Sequence, residues 1–333
     1  MKTKLTEMFG IEYPIVQSGM QWLAVPQLAA AVCNAGGIGT INVTCWPTLD
    51  EFADALDEMN SLTNKPYIVN ISLAPTQRLD NEEIRKTIRL CGEKHVAAIE
   101  TSAEDPREFI ADIKSAGMRH FHKCPNYKVS MSMERKGLDG VIIAGYEVGG
   151  HPSADGVGTF VIARRCAADM KIPVIAAGGV YTGEDIKKYM DLGASGVQMG
   201  TRFVATYECD ADDRFKQAYI DAKQEDVTII KSPVGMPGRA LVNNFIDSMR
   251  DGGKKPFKCI FHCVKTCEQE KTPYCIAAAL INAMKGNLER GFAFCGENVS
   301  RVNNIVSVHD LISSLQREFD AIINKPAAAT VKA

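Results

Sequence analysis

Eight short apolar runs alternate with helical-looking segments in the first two thirds of this 333-residue chain, and that alternation restricts its fold more than anything else in it. The runs predict strands at Pro14–Gln17, Ile38–Ile41, Tyr67–Ser72, Val96–Glu100, Arg119–Lys123, Gly140–Ala144, Pro173–Ala176 and Gly196–Met199. Helices are expected over Pro26–Ala35, Leu49–Met59, Asn81–Gly92, Pro106–Ala116, Phe160–Met170, Gly183–Asp191 and Asp210–Ala222. The first of these starts on proline and stops at Gly36-Gly37, the usual asymmetry of helix ends. Several strands are nearly all apolar, as a sheet covered by helices requires. Eight strand–helix units within about 220 residues predict a (β/α)8 TIM barrel. A doubly wound open sheet is the alternative, but no G-x-G-x-x-G follows the first strand; Gln17-Ser18-Gly19-Met20-Gln21-Trp22 stands there.

From about Gln224 the alternation fails. Lys231–Phe245 reads as loop, Asp251–Pro256 as a turn or linker, and helices are expected at Pro273–Lys285 and Val308–Ile322. The predicted organisation is a barrel over 1–222, a C-terminal cap or lid over 223–325 carrying a Cys-rich segment and a closing helix, and a frayed tail over 326–333.

A net charge of −2 gives no case for nucleic acid or an anionic membrane as partner. No apolar run reaches the roughly 18 residues of a membrane span, and the N-terminus is too polar for a signal peptide, so a cytoplasmic location is expected. Eleven cysteines without an export signal then predict reduced thiols or metal ligands rather than disulfides.

Three strand ends are rich in glycine: Gly145–Pro152, Ala177-Gly178-Gly179 and Met199-Gly200-Thr201. Glycine lets backbone approach a flat ligand closely, and exposed N–H groups after strands 7 and 8 of a barrel commonly hold phosphate. The bland alternative is that these glycines only make tight βα turns. His151 follows Gly149-Gly150 directly, and imidazole is the side chain best suited to moving protons near neutral pH. Its alternative role is structural, bonded to a loop carbonyl. Gly19-Met20-Gln21 ends strand 1, Asn70 sits in strand 3 and Lys123 ends strand 5. A flavin needs donors and acceptors along its pyrimidine edge and gains from a cation near N1, which Lys123 would supply. Otherwise Asn70 is a buried amide tying adjacent loops, and Lys123 a solvated strand end.

The residues Pro14–Trp22, Asn34–Gly37, Asn70, Pro75-Thr76-Gln77, His122-Lys123-Cys124, Glu147–Pro152, Ala177–Gly179 and Gln198–Phe203 resemble the FMN-dependent nitronate monooxygenase family, which includes flavin-type enoyl-acyl-carrier-protein reductases. The resemblance runs from the N-terminus to about Phe245. Met20-Gln21-Trp22, Pro75-Thr76-Gln77 and Gly150-His151-Pro152 are most similar to its bacterial NADH:quinone reductase branch. Inosine-monophosphate dehydrogenase-like barrels share the glycines but want a reactive cysteine after strand 6, where this chain has His151. The resemblance implies FMN in the barrel mouth, bound by Gly19, Met20, Gln21, Asn70, Lys123, Glu147, Gly149, Gly150, Ala177, Gly178, Gly179, Gln198, Met199, Gly200 and Thr201. It implies that His151 faces a small-molecule substrate as acid or base. The expected activity is oxidation of alkyl nitronates or nitroalkanes. Alternatives are reduction of a quinone or an enoyl thioester with NAD(P)H, or service as a flavoprotein electron-transfer subunit. A homodimer is the default assembly.

Cys259, Cys263, Cys267 and Cys275 form a C-x3-C-x3-C-x7-C pattern, with His262 inside it and Cys295 beyond, and here the chain departs from that family. On one helix the first three thiols would form a stripe about 12 Å long, turning about 40° per step, too long for one compact cluster. Metal binding therefore requires non-helical backbone. An iron–sulfur cluster, zinc, or merely reduced thiols are the readings of this segment.

Overall fold

The structure is a computed structural model and describes residues 2–74, 80–250, 252–255, 257–259, 263 and 267–324. Pro75-Thr76-Gln77, His262 and the 326–333 tail lie outside the described residues.

Thr3 starts the regular structure, its hydroxyl accepting from Thr6 N to cap helix α1 (Lys4–Phe9). Leu5, Met8 and Phe9 of α1 turn inward against Val16, Ile38, Ile68, Ala98 and Phe121, which fill the barrel interior. Gly196, the first residue of its strand, has no room for a Cβ, which would lie 2.5 Å from Leu5 Cδ2. Helix α1 thus plugs the N-terminal end of the barrel.

The strands are β1 (Ile15–Gln17), β2 (Thr40–Asn42), β3 (Ile68–Ser72), β4 (Ala98–Ser102), β5 (Arg119–Cys124), β6 (Gly140–Ala144), β7 (Val174–Ala177) and β8 (Gly196–Met199). All pair in parallel, in the order β1-β8-β7-β6-β5-β4-β3-β2. The sheet closes between β1 and the approach to β2, where Gln17 N donates to Ile38 O at 3.0 Å and Ile38 N to Ile15 O at 2.9 Å. The expected barrel is therefore present, with strand ends within two residues of the sequence reading.

Between the strands run α2 (Pro26–Asn34), α3 (Leu49–Leu62), α4 (Asn81–Glu93), α5 (Ile110–Ser115), α6 (Tyr127–Arg135), α7 (Thr159–Asp169) and α8 (Gly183–Asp191). The segment read as one helix over 106–116 begins with a 3-10 turn at Pro106–Phe109 before α5. Helix α6 has no counterpart in the sequence reading, although Asn126 caps it by accepting from Val129 N. After β8 come a single turn, α9 (Thr201–Val204), and α10 (Asp213–Ile220).

The segment over 231–245 is not simply loop. Strand β9 (Val227–Lys231) pairs antiparallel with β10 (Pro237–Leu241), followed by α11 (Asn244–Arg250). Pro237 can open β10 because proline is tolerated at the first residue of a strand. Gly238 is needed there, because a Cβ would lie 2.9 Å from the Phe294 ring. With α12 (Ile276–Met284), these elements share a second core of Ile230, Phe245, Ile246, Tyr274, Ala279 and Phe292. Its rings meet edge to face: Phe245 with Tyr274 at 5.0 Å, and Phe292 with Phe294 at 5.0 Å.

The final helix, α13 (Val308–Ile323), returns to the barrel. Leu311, Ile312, Leu315 and Phe319 lie in the same core as Leu28 and Val32 of α2 and Ile186 of α8. It packs beside α8 so closely that a Cβ on Gly183 would lie 2.4 Å from Leu315 O. The helix grouped with the cap on sequence thus sits in the outer ring, where a barrel needs an element after β8. No helix among the described residues is long and apolar enough to cross a membrane.

In β5, Phe121 and Lys123 face the interior while His120 and His122 face the helices. Both imidazoles are buried and share Thr101 Oγ1, each at 2.9 Å. Burial lowers His120 to about 3 and His122 to about 4.

Two measurements test this packing. Leu315→Ala removes a fully buried side chain and should cost about 2–5 kcal/mol in denaturant unfolding, whereas a change within about 0.5 kcal/mol would mean that α13 is not part of the barrel core. Because His120 and His122 resist protonation only when folded, the unfolded chain takes up protons first as pH falls below 6.5. Stability should be greatest above pH 6.5 and fall toward pH 4, by up to about 1.4 kcal/mol per pH unit for each histidine. Replacing both by glutamine should flatten that limb; an unchanged acid profile would contradict the assignment.

Candidate functional site

Side chains alternate along each strand, so two residues beyond the apolar layer of Ile68, Ala98, Phe121 and Gly196 come Asn70, Glu100, Lys123 and Gln198. These four meet. Glu100 accepts from Asn70 Nδ2 at 2.7 Å and Gln198 Nε2 at 2.6 Å, and pairs with Lys123 Nζ at 3.0 Å. Glu100 is fully buried, while Lys123 keeps 24% of its side chain exposed toward the mouth end of β5. Gln198 Oε1 is buried with no protein partner among the described residues. The sequence reading selected Asn70, Lys123 and Gln198 but missed Glu100. Its signal was a carboxylate closing the otherwise apolar run Val96–Glu100.

Above this polar tier the glycine-rich strand ends come together. Gly178 and Gly179 adopt φ of +98° and +73°, which glycine alone takes without strain. A Cβ on Gly178 would lie 2.8 Å from Val148 N, so the β6 and β7 ends are in contact. A Cβ on Gly19 would lie 2.5 Å from Asn70 Cβ, and one on Gly200 3.3 Å from Met20 Sδ, so β1, β3 and β8 also converge. Gly150, at φ +77°, has nothing within 4 Å of its Cβ direction. Trp22, at φ +67°, is a non-glycine residue held left-handed beside Met20, backbone strain of the kind that collects at functional sites.

Residues Cys295–Asn298 form a fourth wall that the sequence reading did not include. Gly296 N donates to Thr201 Oγ1 at 2.8 Å, Glu297 N to Glu147 O at 3.1 Å, and Asn298 Nδ2 to Gly179 O at 2.9 Å. One short segment thus touches the ends of β6, β7 and β8. Glycine-lined rims over an amide, a lysine and a glutamine oxygen without a partner among the described residues fit a planar flavin ring.

Not every expected residue faces this space. The Met199 side chain packs outward into the barrel–helix core, Gln21 is exposed, and Ala177 belongs to the interior apolar cluster. Glu147 accepts from Thr159 N at 2.7 Å, so its carboxylate caps the N-terminus of α7. Gly149 lies against the 295–296 backbone, where a Cβ would come within 2.8 Å of Cys295 C.

His151 is held by the second unit rather than by a loop carbonyl. Its Nε2 lies 3.0 Å from Ser232 Oγ, and its ring meets Phe294 edge-on at 5.2 Å. Strand β10 docks directly beside it, with Arg239 N donating to Gly150 O at 2.8 Å. Arg239 also donates from Nη2 to Tyr146 O at 2.8 Å and stacks on the Tyr146 ring. Burial lowers His151 to about 4, so the imidazole is neutral at pH 7.

All eleven cysteines are free thiols. Cys259, Cys263 and Cys267 lie outside helix and strand, and Cys275 caps α12 by accepting from Ala278 N. Burial, and after it the Cys275 thiol, push the Cys263 thiol up from its ordinary value. Among the described residues, no three His, Cys, Asp or Glu side chains are arranged to hold a metal ion.

A family profile for nitronate monooxygenase matches residues 2–318. The chain is 34% identical to a (3aS,4S,5R,7aS)-5-hydroxy-7a-methyl-1-oxo-octahydro-1H-indene-4-carboxyl-CoA dehydrogenase of Rhodococcus jostii, over 76% of this chain and 69% of that one. It is 27% identical to a probable nitronate monooxygenase of Staphylococcus saprophyticus, over 98% of this chain and 99% of that one. Among solved structures, FabK from Thermotoga maritima superposes with a TM-score of 0.84 at 31% identity, covering 98% of each chain. Nitroalkane oxidase from Streptomyces ansochromogenes shares the fold, with a TM-score of 0.80 at 22% identity, over 97% of this chain and 100% of that one. The chain is thus a (β/α)8-barrel oxidoreductase that belongs to the nitronate monooxygenase family.

Proposed function

We propose that the chain is an FMN-dependent oxidoreductase that oxidises small alkyl nitronates or their parent nitroalkanes, with His151 facing the substrate. One observation carries this reading: a neutral imidazole, fixed by Ser232, stands at the edge of a glycine-lined barrel mouth. When bound, the flavin supplies electron acceptance and transfer to dioxygen.

In this reading Gly178, Gly179, Gly200 and Thr201 hold the phosphate end, braced by Gly296 and Asn298. Asn70, Lys123 and Gln198 serve the pyrimidine edge, and Met20 lies over Gly200. With Nε2–H donating to Ser232, His151 Nδ1 carries the lone pair that takes a proton from the carbon next to a nitro group. A pKa near 4 keeps that lone pair available at neutral pH.

A second reading is supported by the 34% identical carboxyl-CoA dehydrogenase: the substrate is an acyl thioester, and His151 bonds its carbonyl. The enzymology separates the two. Nitronate-dependent oxygen uptake without added NAD(P)H supports the first. NADH- or NADPH-dependent turnover of an enoyl-CoA, or flavin reduction by a saturated acyl-CoA, with no nitronate turnover, would replace it with the second.

His151→Ala should leave FMN bound and lower kcat/KM for neutral nitroalkane by about 10²–10⁴, with a smaller loss on the pre-ionised nitronate. Ser232→Ala should move activity the same way by less. Loss of FMN from His151→Ala would instead make His151 a cofactor ligand.

A further inference from the structure

Glu100 is the one member of the polar tier that the proposed chemistry leaves without a role. In an eight-stranded barrel β4 and β8 lie opposite one another, so the Gln198–Glu100 hydrogen bond spans the interior. Asn70 reaches the same carboxylate from β3 and Lys123 from β5. A fully buried carboxylate is tolerated only where charge and donors compensate it, and here one ammonium and two amides do so. The tier is therefore formally neutral, and the Lys123 charge is matched 3.0 Å away.

We propose that Glu100 is a positioning residue: it orients Asn70, Lys123 and Gln198 toward the barrel mouth and cancels the Lys123 charge, so that it sets the electron affinity of the flavin above. This rests on the FMN reading. Its electrostatic consequence has a sign. A lone cation beneath the ring favours the reduced, more negative flavin, and a lone carboxylate disfavours it. Loss of Glu100 alone and loss of Lys123 alone must therefore shift the reduction equilibrium in opposite directions. Loss of both must bring it back. A residue that only maintained the fold would give no such pair of opposed shifts.

The test uses the FMN-loaded full chain and measures the midpoint potential by redox titration against a reference dye for wild type, E100Q, K123M and the double variant. E100Q should favour reduction by roughly tenfold in the equilibrium ratio, about 30 mV for a two-electron couple. K123M should disfavour it by a similar factor, and the double variant should return to within a few-fold of wild type. Wild-type protein that binds no FMN would end the functional reading itself. FMN-loaded E100Q and K123M whose ratios both stay within twofold of wild type, or move the same way, would overturn the role of Glu100. If E100Q fails to fold, K123M and the double variant decide: a shift in K123M that the second substitution does not reverse counts against the proposal.

Discussion

Two backbone hydrogen bonds, Gln17 N to Ile38 O and Ile38 N to Ile15 O, convert an eight-stranded sheet into a closed barrel. The site depends on that closure. It puts β8 across from β4, so that Gln198 can reach Glu100 through the interior. It gathers the C-terminal ends of β1, β3, β6, β7 and β8 around one axis, where glycines let the backbone rims touch. The polar tier then follows from strand alternation, because Asn70, Glu100, Lys123 and Gln198 each stand two residues beyond the inward apolar layer and so at one depth.

The second unit completes what the barrel begins. Strand β10 docks on Gly150, the turn between β9 and β10 presents Ser232 to His151, and the 295–298 segment ties the ends of β6, β7 and β8 together. Its aromatic core of Phe245, Tyr274 and Phe292 stiffens that support and continues through Phe294 to the His151 ring. Burial there keeps His151 neutral. The imidazole is thus held by elements far from it in sequence.

The barrel was legible because apolar runs of strand length recur with helical segments between them, a pattern that depends on local sequence alone. Helix α6 escaped notice because Tyr127–Arg135 is mostly polar and buries little. Strand β10 was hidden by Pro237 and Gly238, whose fit depends on an edge position and on the distant Phe294 ring. The glycine rims, Asn70, Lys123 and His151 could be read from strand ends. Glu100 stood out as a carboxylate after an apolar run, but its partner Gln198 and the contacts of the 295–298 wall lie 95 or more residues away along the chain, beyond the reach of local pattern. Glu147 and Met199 stand at strand ends, but their side chains point elsewhere, one to the α7 N-terminus and one into the core.

The central claim is that backbone at the β7 and β8 ends grips the phosphate of a flavin lying over the Asn70–Glu100–Lys123–Gln198 tier. Comparing FMN with riboflavin by fluorescence-quenching titration of the apoprotein tests this most directly, because the two share the ring and differ in the phosphate. The account predicts one FMN per chain and riboflavin binding weaker by at least about a hundredfold, as loss of a charged ligand group from several donors implies. Equal affinity for the two, or binding of neither, would contradict it.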